Sequence, residues 1–247
     1  LDAGRANIPF SLPVLGISVV GFESFDKLLG LGDFRTTYVN PLVGSNYSET
    51  ITGTSFSDLI VGNGGNDTLV GLGGNDIIIG SSGDDSISGG DGDDQYLYIG
   101  TSNGFDTLVG GSGLDQAIAP VPGAVIGING YNNGVEEFLG TGGTIIRDTN
   151  YSAVLNFGMT LLTGILEIDA ASGNDTITAS NLSDGVYRGG SGDDVLAASS
   201  KSVTWLYAGS SNGYDTFTNG SGVTQAIAQS LGTVIGLNGY ANGVETF

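Results

Sequence analysis

The sequence predicts an all-β fold, a parallel β-roll or β-helix solenoid. Three observations predict it. Residues 62–97 divide into four successive blocks of nine residues, a longer unit recurs at an offset of 109 residues, and helical patterning is nearly missing. The two candidate helical stretches, 28–31 and 151–162, fit strands and loops better, because Gly or Asn interrupts them. A fixed short period is the sequence signature of a solenoid, in which each repeat packs only on its neighbours.

Each nine-residue block predicts one turn and one strand. The blocks read GNGGNDTLV, GLGGNDIII, GSSGDDSIS and GGDGDDQYL, and a weaker block, GTSFSDLIV, precedes them in the same register. Glycines in the first half can take the positive φ angles of a tight turn, whereas the apolar residues after the sixth-position Asp favour a strand. Because a strand has a period of two, the eighth residue points into the core.

The same register stacks aspartates along two edges. Two blocks close one coil of 18 residues, so Asp67 lies above Asp85, and Asp58, Asp76 and Asp94 share the opposite edge. Carboxylates stacked this closely repel one another unless a cation lies between them. Ca²⁺ takes about six to eight oxygen ligands, and a glycine turn offers backbone carbonyls beside each carboxylate, whereas Mg²⁺ keeps its waters and fits less well. The alternative is that Gly, Asn and Asp only mark turns. Five consecutive blocks in one register favour calcium.

At these residues the chain resembles the RTX family of secreted proteins, whose repeats read G-G-x-G-x-D-x-U-x with U a large apolar residue. The resemblance implies a parallel β-roll with Ca²⁺ between successive turns, secretion by a type I system, and folding outside the cell. Carried over by position, it assigns calcium to the sixth-position Asp67, Asp76, Asp85 and Asp94, with backbone carbonyls from Gly62, Gly64, Asn66, Gly71, Gly73 and Asn75. Ser81 and Ser82 depart from the pattern in the third block, and Asn63 and Leu72 occupy second positions.

Looser blocks extend the candidate metal set beyond this array. They place an Asp in the sixth position, or in a matching word, at Asp58, Asp106, Asp115, Asp175, Asp194 and Asp215. The later copy is poorer in such residues, since Thr224 stands where Asp115 was and Val203 where Asp94 was. We therefore expect fewer or weaker calcium sites there.

A long internal repeat organises the chain. Residues 96–138 align without a gap on residues 205–247, and 27 of the 43 aligned pairs are identical. A partial copy near the start ends at Phe25. We therefore divide the chain into the end of a preceding repeat (1–25), a first unit (26–138, with calcium-rich nonapeptides at 53–97) and a second unit (139–247, with degenerate nonapeptides at 170–197). A unit of 109 residues is close to six coils of eighteen.

Composition narrows the possible partners. The formal net charge is −20 with only six basic residues, so we expect neither nucleic acid nor an anionic membrane as a partner. Cys and His are both missing, which excludes disulfides, thiolate metal sites and the commonest general base. No apolar stretch is long enough for a membrane-spanning helix, so membrane insertion is not expected. The chain begins at Leu1 without an initiator Met, and we expect it to be part of a longer protein.

Catalysis is not expected. The pairs Asp84/Asp85 and Glu136/Glu137 could serve as acid and base in a glycosidase, but the first lies in the aspartate register and the second closes a recurring unit. Aromatic residues recur at matched places in both copies, as stacked rungs of the core or as a stripe that binds surface polysaccharide.

Two functions from different classes remain open. The first is a calcium-stabilised extracellular structural repeat protein at the cell surface, forming a filament, surface layer or adhesin stalk, with self-association end to end or as a tandem array. The second is a calcium-dependent accessory or secretion region of a secreted enzyme, such as a polysaccharide epimerase or metalloprotease. A catalytic domain in the parent gene would decide for the second.

Overall fold

The computed structural model describes residues 10–12, 17–19, 41–132, 134–218 and 220–240. In these ranges it contains strands and turns and no helix, and hence no helix that could span a membrane. Strands β1 (Phe10–Leu12) and β2 (Ile17–Val19) pair antiparallel. The other strands follow in chain order: β3 Leu42–Val43, β4 Thr50–Thr52, β5 Leu59–Gly64, β6 Thr68–Gly73, β7 Ile77–Ser82, β8 Ser86–Asp91, β9 Gln95–Leu97, β10 Thr107–Ser112, β11 Gln116–Ala119, β12 Val125–Gly127, β13 Tyr131–Asn132, β14 Glu137–Arg147, β15 Val154–Asn156, β16 Leu161–Asp169, β17 Thr176–Thr178, β18 Gly185–Arg188, β19 Val195–Ala197, β20 Val203–Tyr207, β21 Asp215–Thr218, β22 Thr224–Ala228 and β23 Leu237–Tyr240.

From β3 onward the strands form a parallel β-solenoid of about 9 turns, which confirms the predicted fold class. One face is a single long sheet in the order β22-β20-β18-β16-β14-β11-β9-β7-β5-β3, with β12 beside β14. The other face consists of the sheets β10-β8-β6-β4 and β13-β15-β17-β19-β21-β23. The boundary that we drew between residues 138 and 139 falls within β14, so the long sheet continues across it. The predicted boundary at residue 25 lies outside the described residues.

The core is a stack of inward-facing side chains. On the long sheet Ile60 pairs with Ile78 and Ile78 with Tyr96, and each is 0% exposed. Leu69 and Ile87 face them from the other sheet. These are the eighth-position residues, so the predicted inward orientation is confirmed. The stretch 151–162 contains β15 and the start of β16, as expected.

Strands β5 and β7 are buried on both faces. Leu59, Val61, Ile77 and Ile79 alternate with the core residues, yet each is at most 3% exposed. Alternate residues of a strand point to opposite sides. The apolar surface that these two strands bury is therefore larger than one inward ladder.

The coils vary in length along the chain. The backbone-to-carboxylate contact between neighbouring coils spans 18 residues at Asp67 and Asp85, but 21 residues at Asp85 and Asp106. Three extra residues, 98–100, precede the block that carries Asp106. Five strand steps of the long sheet separate Tyr96 in β9 from Trp205 in β20. The expectation of six coils in each 109-residue unit is therefore wrong, because loops at the coil edges take up residues without adding a coil.

Candidate calcium-binding turns

Acidic side chains form a ladder along each edge of the solenoid. In each ladder one carboxylate oxygen accepts the backbone N–H of the acid one coil earlier. Asp85 Oδ1 accepts from Asp67 N at 2.8 Å, and Asp94 Oδ1 accepts from Asp76 N at 2.8 Å. One ladder runs through Glu49, Asp67, Asp85 and Asp106, and the other runs through Asp58, Asp76, Asp94, Asp115 and Glu136. The predicted stacking of aspartates on two edges is confirmed.

The second oxygen of most of these carboxylates has no partner. In the described residues, Oδ2 is buried without a hydrogen bond in Asp67, Asp76, Asp85, Asp94, Asp115, Asp148, Asp175 and Asp194. A buried carboxylate oxygen without a partner costs several kcal/mol unless a cation lies beside it. These oxygens therefore indicate places where the fold requires a positive ligand.

A distinctive backbone conformation accompanies seven of these eight carboxylates. The residues four and two positions before the Asp both have positive φ, for example Leu72 (80°) and Gly74 (95°) before Asp76. The same pair of angles precedes Asp67, Asp85, Asp94, Asp115, Asp175 and Asp194, and no other acid of the described residues. Non-glycine residues in this conformation cost of order 1–3 kcal/mol each, and such strain clusters at ligand sites. Asn63, Leu72, Ser81 and Ala171 all bear this cost.

The first glycine of each block makes room for the carboxylate. A Cβ placed on Gly62 would lie 2.6 Å from Asp67 Oδ2 and 2.8 Å from the carbonyl oxygen of Gly80. On Gly89 it would lie 2.0 Å from Asp94 Oδ2. In these blocks no side chain fits between carboxylate and turn, so the first-position glycine is a steric requirement there. The block of Asp175 has Ala170 in the first position instead.

The backbone ligands implied by the resemblance lie in the same turns. Gly62, Gly64, Gly71 and Gly73 close strands β5 and β6, and Asn66 and Asn75 immediately precede Asp67 and Asp76. The Asn66 side chain accepts a hydrogen bond from Asp84 N at 3.1 Å, which ties it to the next coil. No group of three or more acidic side chains converges within the described ranges, so a cation here must take most of its ligands from the backbone.

Burial raises the pKa of all eight carboxyls, against the lowering effect of their backbone hydrogen bonds. Burial, followed by the charges of Asp94 and Asp58, raises the pKa of Asp76 to about 7. The pKa of Asp85 and that of Asp94 rise to about 6. A bound cation favours the ionised form and removes this cost. The buried oxygens, the glycine cradle and the hard oxygen donors together fit Ca²⁺.

Three sequence-predicted metal residues have a different environment. Asp58 Oδ2 accepts from Thr54 N at 2.6 Å, and Asp215 Oδ2 accepts from the Tyr207 hydroxyl at 2.8 Å. Asp106 lies beside the hydroxyl of Tyr98, which corresponds to Tyr207 in the long repeat. None of the three has the preceding pair of positive φ angles. A protein group thus donates to the second oxygen of Asp58 and to that of Asp215, whereas the corresponding oxygen of the eight aspartates above has no partner.

Two acids of the ladders, Glu49 and Glu136, and the buried Asp148 outside them were not predicted from the sequence. Glu49 and Glu136 occupy the sixth position of the blocks GSNYSETIT and YNNGVEEFL, and the apolar Ile51 and Phe138 in the eighth position could have revealed them. Asp148 lies outside the register, and no nonapeptide signal marks it. The second carboxylate oxygen of Glu49 is satisfied by the backbone, as in Asp58, because Glu49 Oε2 accepts a hydrogen bond from Ser45 N at 2.6 Å.

Comparison with known proteins supports this interpretation. The family model described as RTX calcium-binding nonapeptide repeat (4 copies) matches residues 43–78, 70–97 and 101–118. No curated protein sequence matches the chain significantly. The matched residues contain five of the seven turns with paired positive φ angles. This chain therefore carries an array of RTX calcium-binding nonapeptide repeats, and its cofactor is Ca²⁺.

Proposed function

We propose that the chain is a calcium-stabilised structural repeat segment of a secreted protein. The observation that carries the proposal is the coincidence of a buried, unpartnered Asp oxygen with two positive φ angles in the same turn. We assign calcium to the turns of Asp67, Asp76, Asp85, Asp94, Asp115, Asp175 and Asp194. The backbone carbonyls of Gly62, Gly64, Asn66, Gly71, Gly73 and Asn75 are proposed as further ligands.

Asp58, Asp106 and Asp215 are left out of this calcium set. The second oxygens of Asp58 and Asp215 accept hydrogen bonds from Thr54 and Tyr207, and Asp106 lies beside the hydroxyl of Tyr98. A hydroxyl or an N–H that donates to a carboxylate satisfies it without a metal. These three turns should therefore form without a calcium ion of their own.

The architecture supports a structural role. Parallel pairing links β3 to β22 in one sheet across both repeat units. In the described part, β3 and β4 pair on one side only, so each presents a strand edge to a further coil. A head-to-tail contact through such edges does not close and generates a filament. We propose a filament, surface-layer or adhesin-stalk component at the cell surface, exported by a type I system.

The calcium assignment is tested by two matched substitutions in one register. In Asp85→Asn the carboxylate loses charge at an open turn, so we expect fewer bound calcium ions in a calorimetric titration of the whole chain. Asp58→Asn removes the same charge from a sixth-position residue whose oxygen Thr54 already satisfies, and should leave the number of ions unchanged. Equal losses in both variants, or none in either, would contradict the assignment.

The structural role has a separate test. Small-angle scattering of the chain in millimolar calcium should give elongated particles that lengthen with protein concentration. Particles that stay compact and monomeric at every concentration would count against end-to-end assembly. In that case a catalytic domain in the parent gene would favour the accessory region of a secreted enzyme.

A further inference from the structure

In the later coils the same contacts link Asp175, Asp194 and Asp215, and the position one coil before Asp175 has no acid of its own. Ala153 N donates to Asp175 Oδ1 at 2.8 Å, just as Asp67 N donates to Asp85 Oδ1 at 2.8 Å. Ala153 therefore occupies the place of a sixth-position acid. The turn of Asp175 would face a neighbouring coil without a carboxylate, although its own Oδ2 is buried and unpartnered.

The block that contains Ala153 resembles the first block of the array. Residues 148–156 read DTNYSAVLN and residues 44–52 read GSNYSETIT, with Asn-Tyr-Ser at positions three to five of both. The acid has changed place. The earlier block has Gly44 in the first position and Glu49 in the sixth, whereas the later one has Asp148 in the first and Ala153 in the sixth.

A side chain in the first position reaches the place of the sixth-position carboxylate. A Cβ on Gly44 would lie 2.7 Å from Glu49 Oε2, and one on Gly62 would lie 2.6 Å from Asp67 Oδ2. Side chains in the first and sixth positions of a block would therefore occupy the same space. An acid in the first position can fill it only if the sixth residue is small, and Ala153 is.

Asp148 has the contacts of a ladder acid. It is 1% exposed, and its Oδ1 accepts the N–H of Gly130 on the preceding coil at 2.8 Å. Its Oδ2 is buried and has no hydrogen-bond partner. Asp148 opens the block in which Ala153 N donates to Asp175 Oδ1, and the backbone N–H of Asp148 donates to the carbonyl oxygen of Asp169, on the coil of Asp175, at 2.9 Å. The two carboxylates therefore belong to stacked turns on one edge of the solenoid.

We propose that Asp148 and Asp175 hold one calcium ion between their coils, with Asp148 supplying from the first position the carboxylate that Ala153 lacks. This site lies beyond the residues that the family model matches. The identity of the ion rests on the proposed function. The nonapeptide motif does not contain the site, because one of its two acids lies five residues out of register.

The first test removes the charge of Asp148 and keeps its hydrogen-bonding shape. In calorimetric calcium titration of the whole chain, Asp148→Asn should lose one bound ion or bind it at least about tenfold more weakly, because ligand charge sets affinity. The matched control is Asp184→Asn, which removes one charge from an exposed acid of the same unit. Unchanged binding in Asp148→Asn would overturn the proposal.

The second test restores the ordinary register. The double substitution Asp148→Gly/Ala153→Asp turns the block into GTNYSDVLN, with Gly first and Asp sixth, and should recover the ion that Asp148→Asn loses. Ala153→Asp alone places two acids in one space and should weaken binding. A double variant that stays as defective as Asp148→Asn would refute the shared position. If Asp85→Asn also leaves calcium binding unchanged, the proposed function fails, whereas a defect in Asp85→Asn alone sinks only this inference.

Discussion

Individual aspartates decide how the fold responds to protons and to calcium. The buried carboxyls of the ladders have raised pKa values, to about 7 in Asp76 and Asp194 and about 6 in Asp85. Without a cation, the folded chain therefore binds protons more tightly than the unfolded chain, whose Asp groups titrate near 4. Protons and calcium compete for the same oxygens.

This competition predicts opposite effects of pH with and without calcium. In chelator, the stability that these groups contribute is fully present below about pH 4 and is lost as the pH rises through 6 to 7. The thermal unfolding midpoint should thus be higher at pH 5 than at pH 8. In millimolar calcium the midpoint should instead rise with pH, because the ionised form binds the ion. Circular dichroism melts at both pH values measure this. A chelated protein that is more stable at pH 8 would contradict the prediction.

At the scale of the element, each turn of the solenoid packs directly on the equivalent turn of the next coil. This packing leaves no space for a Cβ on a first-position glycine such as Gly62, whereas a Cβ would fit on some other glycines. The nearest atom to a Cβ on Gly73 would be 3.8 Å away, against 2.6 Å for Gly62. Both glycines belong to strands of the calcium-rich region.

This contrast predicts unequal effects of the same substitution. Gly62→Ala should destabilise the calcium-loaded protein by about 1–3 kcal/mol, the usual cost of overpacking, and should weaken calcium binding at Asp67. Gly73→Ala should change the free energy of unfolding by less than about 1 kcal/mol, since the methyl group meets only ordinary contacts. Urea unfolding in calcium compares the two. Equal destabilisation would show that the first-position glycine has no special role.

Most features of the turns and strands could be predicted from the nonapeptide period. Because nine residues make one turn and one strand, the register fixed the two aspartate edges and the inward eighth residues such as Ile78. The period did not predict the coil lengths, because residues 98–100, which precede the block of Asp106, lengthen a coil without disturbing the hydrophobic pattern. The period also did not predict which acids have an unpartnered second oxygen and which have one that accepts a hydrogen bond. At Asp58 the backbone conformation of Thr54 decides this, and at Asp215 a hydroxyl from another block, that of Tyr207, decides it. The nonapeptide pattern specifies neither feature.

At the scale of the whole molecule, the two ends of the solenoid are stabilised differently. The core of the RTX array is mainly aliphatic, with Ile60, Leu69 and Ile78, and Tyr96 at its end. The later coils contain large aromatic groups in contact, including Tyr187 and Trp205 with ring centroids 5.3 Å apart. Five of the seven proposed calcium turns lie in the array and two in the later coils. Large aromatic side chains bury more apolar area per coil, so the later coils should depend less on calcium.

This asymmetry predicts that calcium removal unfolds the array first, because coils of a solenoid interact only with their neighbours and can unfold locally. Trp205 is the single tryptophan of the chain and is 0% exposed, so its fluorescence reports on the later coils alone. In a calcium titration from chelator, the far-ultraviolet β signal should rise at a higher calcium concentration than the blue shift of Trp205. Asp85→Asn should shift the midpoint of the far-ultraviolet signal to higher calcium concentration and leave the midpoint of the Trp205 blue shift unchanged. If both signals change together in the original chain and in the variant, the solenoid folds as one cooperative unit and the two ends share a single dependence on calcium.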